Sequence, residues 1–150
     1  MKLSSLLLAL VFLAFGCKKD SDGMEEEITI ESGLCWVEVD GVFESLEVDK
    51  VPEFINGGVN GFVSAIFQYI KYPAEARENG IEGMVRLEYE ITVDGEVENI
   101  VIAVDAGGGC GEASKSALEA ATPGVSFFPA ELNGEKVRTK KELPISFKLE

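Results

Sequence analysis

The chain contains no histidine in 150 residues. This removes Ser–His and Cys–His nucleophilic catalysis, imidazole metal ligation and histidine pH switching. Basic residues are also scarce, with 13 Lys and Arg against 27 Asp and Glu and a net charge of −14. A nucleic-acid binder usually needs a basic face to neutralise phosphates, so the balance argues against that class. No cluster has metal-ligand spacing, and no sequence element calls for a cofactor. Long apolar runs are rare too. The one clear run, Leu6 to Phe15, falls short of the roughly 20 residues that a membrane-spanning helix needs.

That run follows Lys2 and fits the apolar centre of a secretory signal occupying residues 1–16. Ala14-Phe15-Gly16-Cys17 then reads as a lipoprotein processing box. A small residue precedes the cysteine, although Ala14 stands where Leu is usual and Leu13 lies one place further out. The alternative is an ordinary signal with an incidental cysteine. An acylated Cys17 would carry more than one lipid chain, enough for stable anchoring. Residues 17–27, with Lys18, Lys19, Asp20, Asp22, Glu25, Glu26 and Glu27 and almost nothing apolar, read as a charged tether unable to bury a core. The expected location is the cell envelope, on the outer membrane facing the periplasm, with exposure at the cell surface a further option.

The remaining length suits one domain. In residues 28–50, Trp36-Val37-Glu38-Val39 and Val42 to Leu46 could form a hairpin across Asp40-Gly41. Phe62, Ile66, Tyr69 and Ile70 recur at helical spacing, which predicts a helix over 59–70 with Asn60 as N-cap. Pro73 opens a second short helix that Gly80 closes. Val85, Leu87, Tyr89, Ile91 and Val93 alternate with polar residues, the period of a strand with one dry face. Asp94-Gly95 supplies two positive-φ turn positions, and Val97 to Val104 returns as a partner strand in a more covered position. A helix follows from Glu112 to Ala121. The last strand runs from about Lys136 to Leu149, where Pro144 marks an edge or a bulge.

Candidate chemistry is sparse. Glu88 and Glu90 lie on the wet face of their strand and read as solvated. Gly107-Gly108-Gly109-Cys110-Gly111 precedes a helix but matches neither the P-loop nor the dinucleotide fingerprint. Cys35 and Cys110 remain once Cys17 is lipidated. A disulfide between them would constrain the unfolded chain by roughly 4 kcal/mol; the alternatives are two free thiols, or a reactive Cys110 whose thiolate the helix N-terminus stabilises.

Tyr72-Pro73, Gly83, Asp94-Gly95, Pro129, Gly134 and Pro144, in that order of elements, resemble the C-terminal domain of the TonB family. Val48 to Phe54 with Gly57-Gly58 resembles the segment that precedes this domain in many TonB-like proteins of Bacteroidota, with Val51 in place of Met. The resemblance weakens at Cys110-Gly111-Glu112 and at Thr122 to Pro129, where Phe127 or Phe128 takes the place of a tryptophan. It implies an α+β domain over 51–150: a small three-stranded antiparallel sheet, in the order second, first, third, packed on two or three helices. Tyr72 either packs beside Pro73 or contacts a partner.

In this family the free edge of the last strand receives an extended segment of an outer-membrane transporter. The resemblance therefore implies a non-enzymatic interaction domain that binds a partner by strand addition. Lys136, Arg138, Lys140 and Lys141, with Leu143, Ile145 and Phe147, are the expected contact residues. The cations could equally keep a bare edge from aggregating. Exchange of strands between two copies would give a homodimer. A full energy transducer would also have a spanning anchor and a long proline-rich spacer; the mature sequence has neither, which implies binding without energy coupling. A thiol-redox protein using Cys110, a purely structural envelope module, and a domain whose own hairpin fills the edge are the competing expectations.

Overall fold

In the computed structural model, which describes residues 33–149, the chain after Gly33 enters a hairpin of β1 (Leu34–Val39) and β2 (Val42–Glu47). Asp40 (φ 51) and Gly41 (φ 82) both take positive φ, the mirror-image turn whose twist matches the strands it joins. The expected leader, Cys17, the tether and residues 28–32 lie outside the described residues. Cys35 and Val37 point inward to form a small core with Val48, flanked by Leu46, Leu132 and Val137. Their alternates Leu34 and Trp36 are more than half exposed.

The strand β3 (Glu53–Phe54) leads into α1 (Gly58–Tyr69). The helix starts earlier than its sequence period implied: Gly57, at φ 100, is the N-cap rather than Asn60, and the Gly61 N–H bonds the Gly57 carbonyl at 3.0 Å. Phe62 and Ile66 are buried, whereas Tyr69 is half exposed at the helix end. The short α2 (Ala74–Glu78) has Pro73 as its N-cap and stops before Gly80, at φ 63.

Next come β4 (Gly83–Ile91) and β5 (Val97–Val104). Val85, Leu87, Tyr89 and Ile91 are all buried, as the alternation implied. The turn differs from expectation, because of its two central residues only Gly95 has positive φ. Thr92 organises it instead: its Oγ1 accepts the N–H groups of Asp94 (3.3 Å) and Glu96 (3.1 Å). Glycine is needed at 95 for a second reason. A Cβ there would stand 1.9 Å from the Phe127 carbonyl oxygen, because the Gly95 carbonyl accepts from both Ser126 and Phe127.

The chain then forms α3 (Cys110–Ala121), β6 (Phe127–Phe128), β7 (Ala130–Leu132), β8 (Glu135–Val137) and β9 (Thr139–Phe147). β6 pairs with β3, and β7 with β8 across Asn133-Gly134, both at positive φ. The last strand is thus two strands, broken at Arg138, rather than one from Lys136. Within β9 the register with β4 is continuous from Gly83↔Phe147 to Ile91↔Thr139, so Pro144 sits at an edge and not in a bulge.

The main sheet is antiparallel, in the order β2-β1-β9-β4-β5. The expected order of its three C-terminal strands, β5-β4-β9, holds, but the sheet has five strands because the hairpin joins β9. β5 is an outer strand rather than a covered one: Val101 is 55% exposed. Among the described strands it pairs with β4 alone, and its run turns Ile100 and Ile102 toward the main core while Val101 between them faces away. Two register shifts against β4 each add a residue to β5. The main core lies between the sheet and α1 and α3, where Phe54, Phe62 and Phe127 meet with all three centroid separations at 5.4 Å. Phe127 is the buried aromatic and Phe128 the exposed one.

Candidate functional site: the outer flank of the last strand

Successive residues of a strand direct their main-chain groups to opposite flanks. The Arg138 carbonyl accepts from the Glu38 N–H at 3.0 Å, so it faces β1. By alternation Lys140, Glu142, Pro144 and Ser146 present their main-chain groups to the same outer flank. Lys141, Leu143, Ile145 and Phe147 direct theirs to β4. β1 is in register with β9 only at Trp36↔Lys140 and Val37↔Thr139. From Glu142 to Ser146 no strand among the described residues pairs with the outer flank. The flank expected to be bare is therefore half taken by the protein's own hairpin, and its other half carries no paired strand among the described residues.

Side chains divide in the same way. Ile145 and Phe147 are buried and Leu143 packs against the main core, so these expected contact residues serve the fold. Phe147 also receives the Tyr72 ring edge-on, and the Tyr72 hydroxyl donates to the Ile81 carbonyl. These contacts give Tyr72 a packing role.

The expected basic steering surface is largely neutralised internally. Lys136 stands apart on β8. Arg138 Nη1 bonds Glu90 Oε2 (2.9 Å) and Glu98 Oε2 (3.1 Å), and its Nε lies 3.4 Å from Glu38. The hydrogen bond to Glu90, reinforced by Glu98, raises the Arg138 pKa above its usual value. Lys140 Nζ pairs with Glu88 at 3.2 Å and stands over the Phe43 ring. Lys141 is half-buried on β9, and Glu142 faces Arg86 at 4.0 Å. Glu88 and Glu90 are thus ion-pair partners rather than solvated acids. Sequence reading missed Glu38 as a partner because the contact crosses from the hairpin to β9.

The remaining motif residues are spread over the fold. Gly83 starts β4 opposite Phe147, Asp94-Gly95 joins β4 to β5, Pro129 lies between β6 and β7, and Gly134 closes the β7–β8 turn. No helix among the described residues is long and apolar enough to cross a membrane.

The thiols lie in different cores. Cys35 and Cys110 are both free and buried, one in the hairpin core and the other in the main core at the start of α3. Burial pushes the Cys110 thiol up, and the Asp105 carboxylate adds to the effect, the reverse of an activated thiolate. Asp105 also occupies the Gly-rich loop, its Oδ1 accepting the N–H groups of Gly107 and Gly111, both at 2.9 Å. The positive end of α3 is therefore capped by the protein's own carboxylate, which leaves no cradle there for phosphate.

Two NMR solution structures of the Helicobacter pylori TonB C-terminal domain are similar to this chain, each at 26% identity. One has a TM-score of 0.46 and covers 61% of this chain and 80% of its own. The other has a TM-score of 0.41, with coverages of 58% and 92%. No curated protein matches. The family model for the C-terminal domain of Gram-negative bacterial TonB proteins matches residues 68–149, from the end of α1 through β9. With more than half its length matched, the chain belongs to the TonB C-terminal domain family, a group of non-enzymatic interaction modules of envelope transport.

Proposed function

We propose that this protein is a lipid-anchored interaction domain of the cell envelope that captures an extended segment of a partner by strand addition to β9. The observation that carries this reading is the outer flank from Glu142 to Ser146, with which no strand pairs among the described residues, in a domain of this family. Main-chain pairing supplies the affinity in such a complex, and pockets for alternate side chains supply the selectivity. Pro144 has no N–H to offer, so the flank presents donors only at Glu142 and Ser146 and a carbonyl at each of the three positions. A short partner segment fits this ledge. The partner class is a segment of an envelope protein such as an outer-membrane transporter; a second copy of the domain is the other occupant. Acylation of Cys17 holds the domain at the membrane, on the periplasmic side of the outer membrane.

Photo-crosslinking in cells tests the proposal. A crosslinker at Glu142 or Ser146 is expected to trap one envelope protein, whereas one at Ser45, on the far strand of the hairpin, is not. Equal products from all three positions, or none, would overturn strand addition at β9. Products only with itself would assign the flank to a homodimer. Metabolic labelling with an alkyne fatty acid, lost in Cys17→Ser, tests the anchor separately.

A further inference from the structure

The β1–β2 hairpin occupies a position that a strand-adding partner would need. We infer that it is an internal guard strand: it competes for the first half of β9, and a partner longer than the open ledge must displace it. The inference rests on the strand-addition reading above. Three observations carry it.

The first is the shape of the contact. β1 runs alongside β2 in register over its full length, Leu34↔Glu47 to Val39↔Val42. β4 does the same along β9. Between these two complete ladders, β1 and β9 share only Trp36↔Lys140 and Val37↔Thr139. The junction is the narrowest in the sheet, and opening it leaves both neighbouring ladders intact.

The second is a polar defect at that junction. The Thr139 side chain is fully buried, and its Oγ1 has no hydrogen-bond partner among the described residues. Burying an unpaired hydroxyl disfavours the closed state. Lifting β1 off Thr139 would return that hydroxyl to water.

The third is the chemistry that holds the junction shut. Arg138 links to Glu38 of β1 but keeps Glu90 and Glu98 when β1 leaves. Lys140 likewise touches Phe43 of the hairpin but is paired to Glu88 of β4. Arg138 and Lys140 therefore keep carboxylate partners with the hairpin on or off. The hairpin also lies wholly before the family match at 68–149, as an addition to the matched domain.

If only a fraction of molecules is open, apparent affinity for a long strand falls by that fraction. The test uses the full chain with Cys35→Ala and a labelled peptide copying Leu34 to Val39, with Ser for Cys, followed by anisotropy. A locked variant, Trp36→Cys with Lys140→Cys, joins two register partners on the exposed face. A loosened variant, Glu38→Lys, sets a second cation against Arg138. The expected result is at least tenfold tighter peptide binding by the loosened variant than by the parent, and none by the oxidised locked variant, restored on reduction. Equal binding by all three would overturn the guard and leave strand addition standing. Failure of the loosened variant to bind, with its fold verified by circular dichroism, would overturn both. Should Glu38→Lys not fold, Thr139→Ser with a faster native-state amide exchange at Lys140 replaces it; unchanged exchange there would count against the guard.

Discussion

The ring of Tyr72 stands edge-on to that of Phe147, centroids 5.4 Å apart and planes at 87°. The same tyrosine donates its hydroxyl to the Ile81 carbonyl. One residue thereby ties the linker between α1 and α2 both to the end of β9 and to the approach to β4. Tyr72→Phe keeps the ring contact and loses the hydrogen bond, and is expected to cost about 1 kcal/mol. Tyr72→Ala loses both and is expected to cost about 3 kcal/mol. Urea unfolding of the two variants checks this. Equal losses would mean that the ring contact contributes nothing.

Arg138 gathers carboxylates from three strands, Glu38 from β1, Glu90 from β4 and Glu98 from β5. Its removal leaves three like charges near one another in a protein already at −14. Arg138→Gln is expected to destabilise by about 1–2 kcal/mol at low ionic strength, with part of the loss recovered at 1 M salt as the repulsion is screened. Arg138→Lys is expected to recover less than half, since a point charge cannot match a fork holding several oxygens. Thermal unfolding at two salt concentrations reads both effects. Its raised folded-state pKa gives no usable pH test. That contribution is fully present below the ordinary arginine value and declines only at higher pH.

The accessible pH window belongs to buried groups. Burial raises the pKa of Cys110, with Asp105 adding to it, and burial raises that of Tyr89. In both cases the folded state holds its proton where the unfolded chain has lost it. Stability is therefore complete below the ordinary values of 9.0 and 10.0 and falls as pH rises through and beyond them. Unfolding measured from pH 8 to 11 is expected to show this decline, with a shallower slope in Tyr89→Phe. Native alkylation of Cys35 and Cys110 at neutral pH is expected to be slow, and fast after denaturation. Rapid native labelling of Cys110 would revive the redox reading.

Much of this arrangement could be read in the residues, and the limits of that reading have physical causes. The dry face of β4 follows from a strict period of two, and the hairpin from Asp40-Gly41 between two β-rich runs. The order β5-β4-β9 follows from connectivity. Where the hairpin docks stood only as one of several competing expectations, since Trp36↔Lys140 joins residues over a hundred positions apart and leaves no local trace. The β5 edge was misread because an apolar run does not show that one of its faces lies uncovered at the end of the sheet. The acid capping the glycine loop was missed for a similar reason. Asp105 lies before the glycines, and only the bend at Gly107 brings its carboxylate back onto Gly111.

Thr139 provides a test of the β1–β9 junction that needs no partner. Its hydroxyl is buried without a hydrogen bond to any described residue, and the residue pairs with Val37 of β1. Thr139→Val keeps the shape, removes the unsatisfied group and is expected to stabilise the protein by about 1 kcal/mol. The gain should appear as a higher urea midpoint with an unchanged slope. A loss of stability would mean that the hydroxyl is hydrated in solution.

Gly95 and Gly134 separate two reasons for glycine. Both have positive φ, at 88° and 79°. A Cβ at Gly134 meets nothing within 4 Å, whereas at Gly95 it would stand 1.9 Å from the Phe127 oxygen. Gly134→Ala therefore reports backbone strain alone and is expected to cost about 1 kcal/mol. Gly95→Ala adds a collision with main chain that no side-chain rotation relieves. It would also push apart the strand pair that holds Phe127 in the core. A cost of at least about 3 kcal/mol is expected, large enough to lower the yield of folded protein. Equal costs from the two substitutions in urea unfolding would show that β6 yields freely and that the close approach at Gly95 constrains nothing.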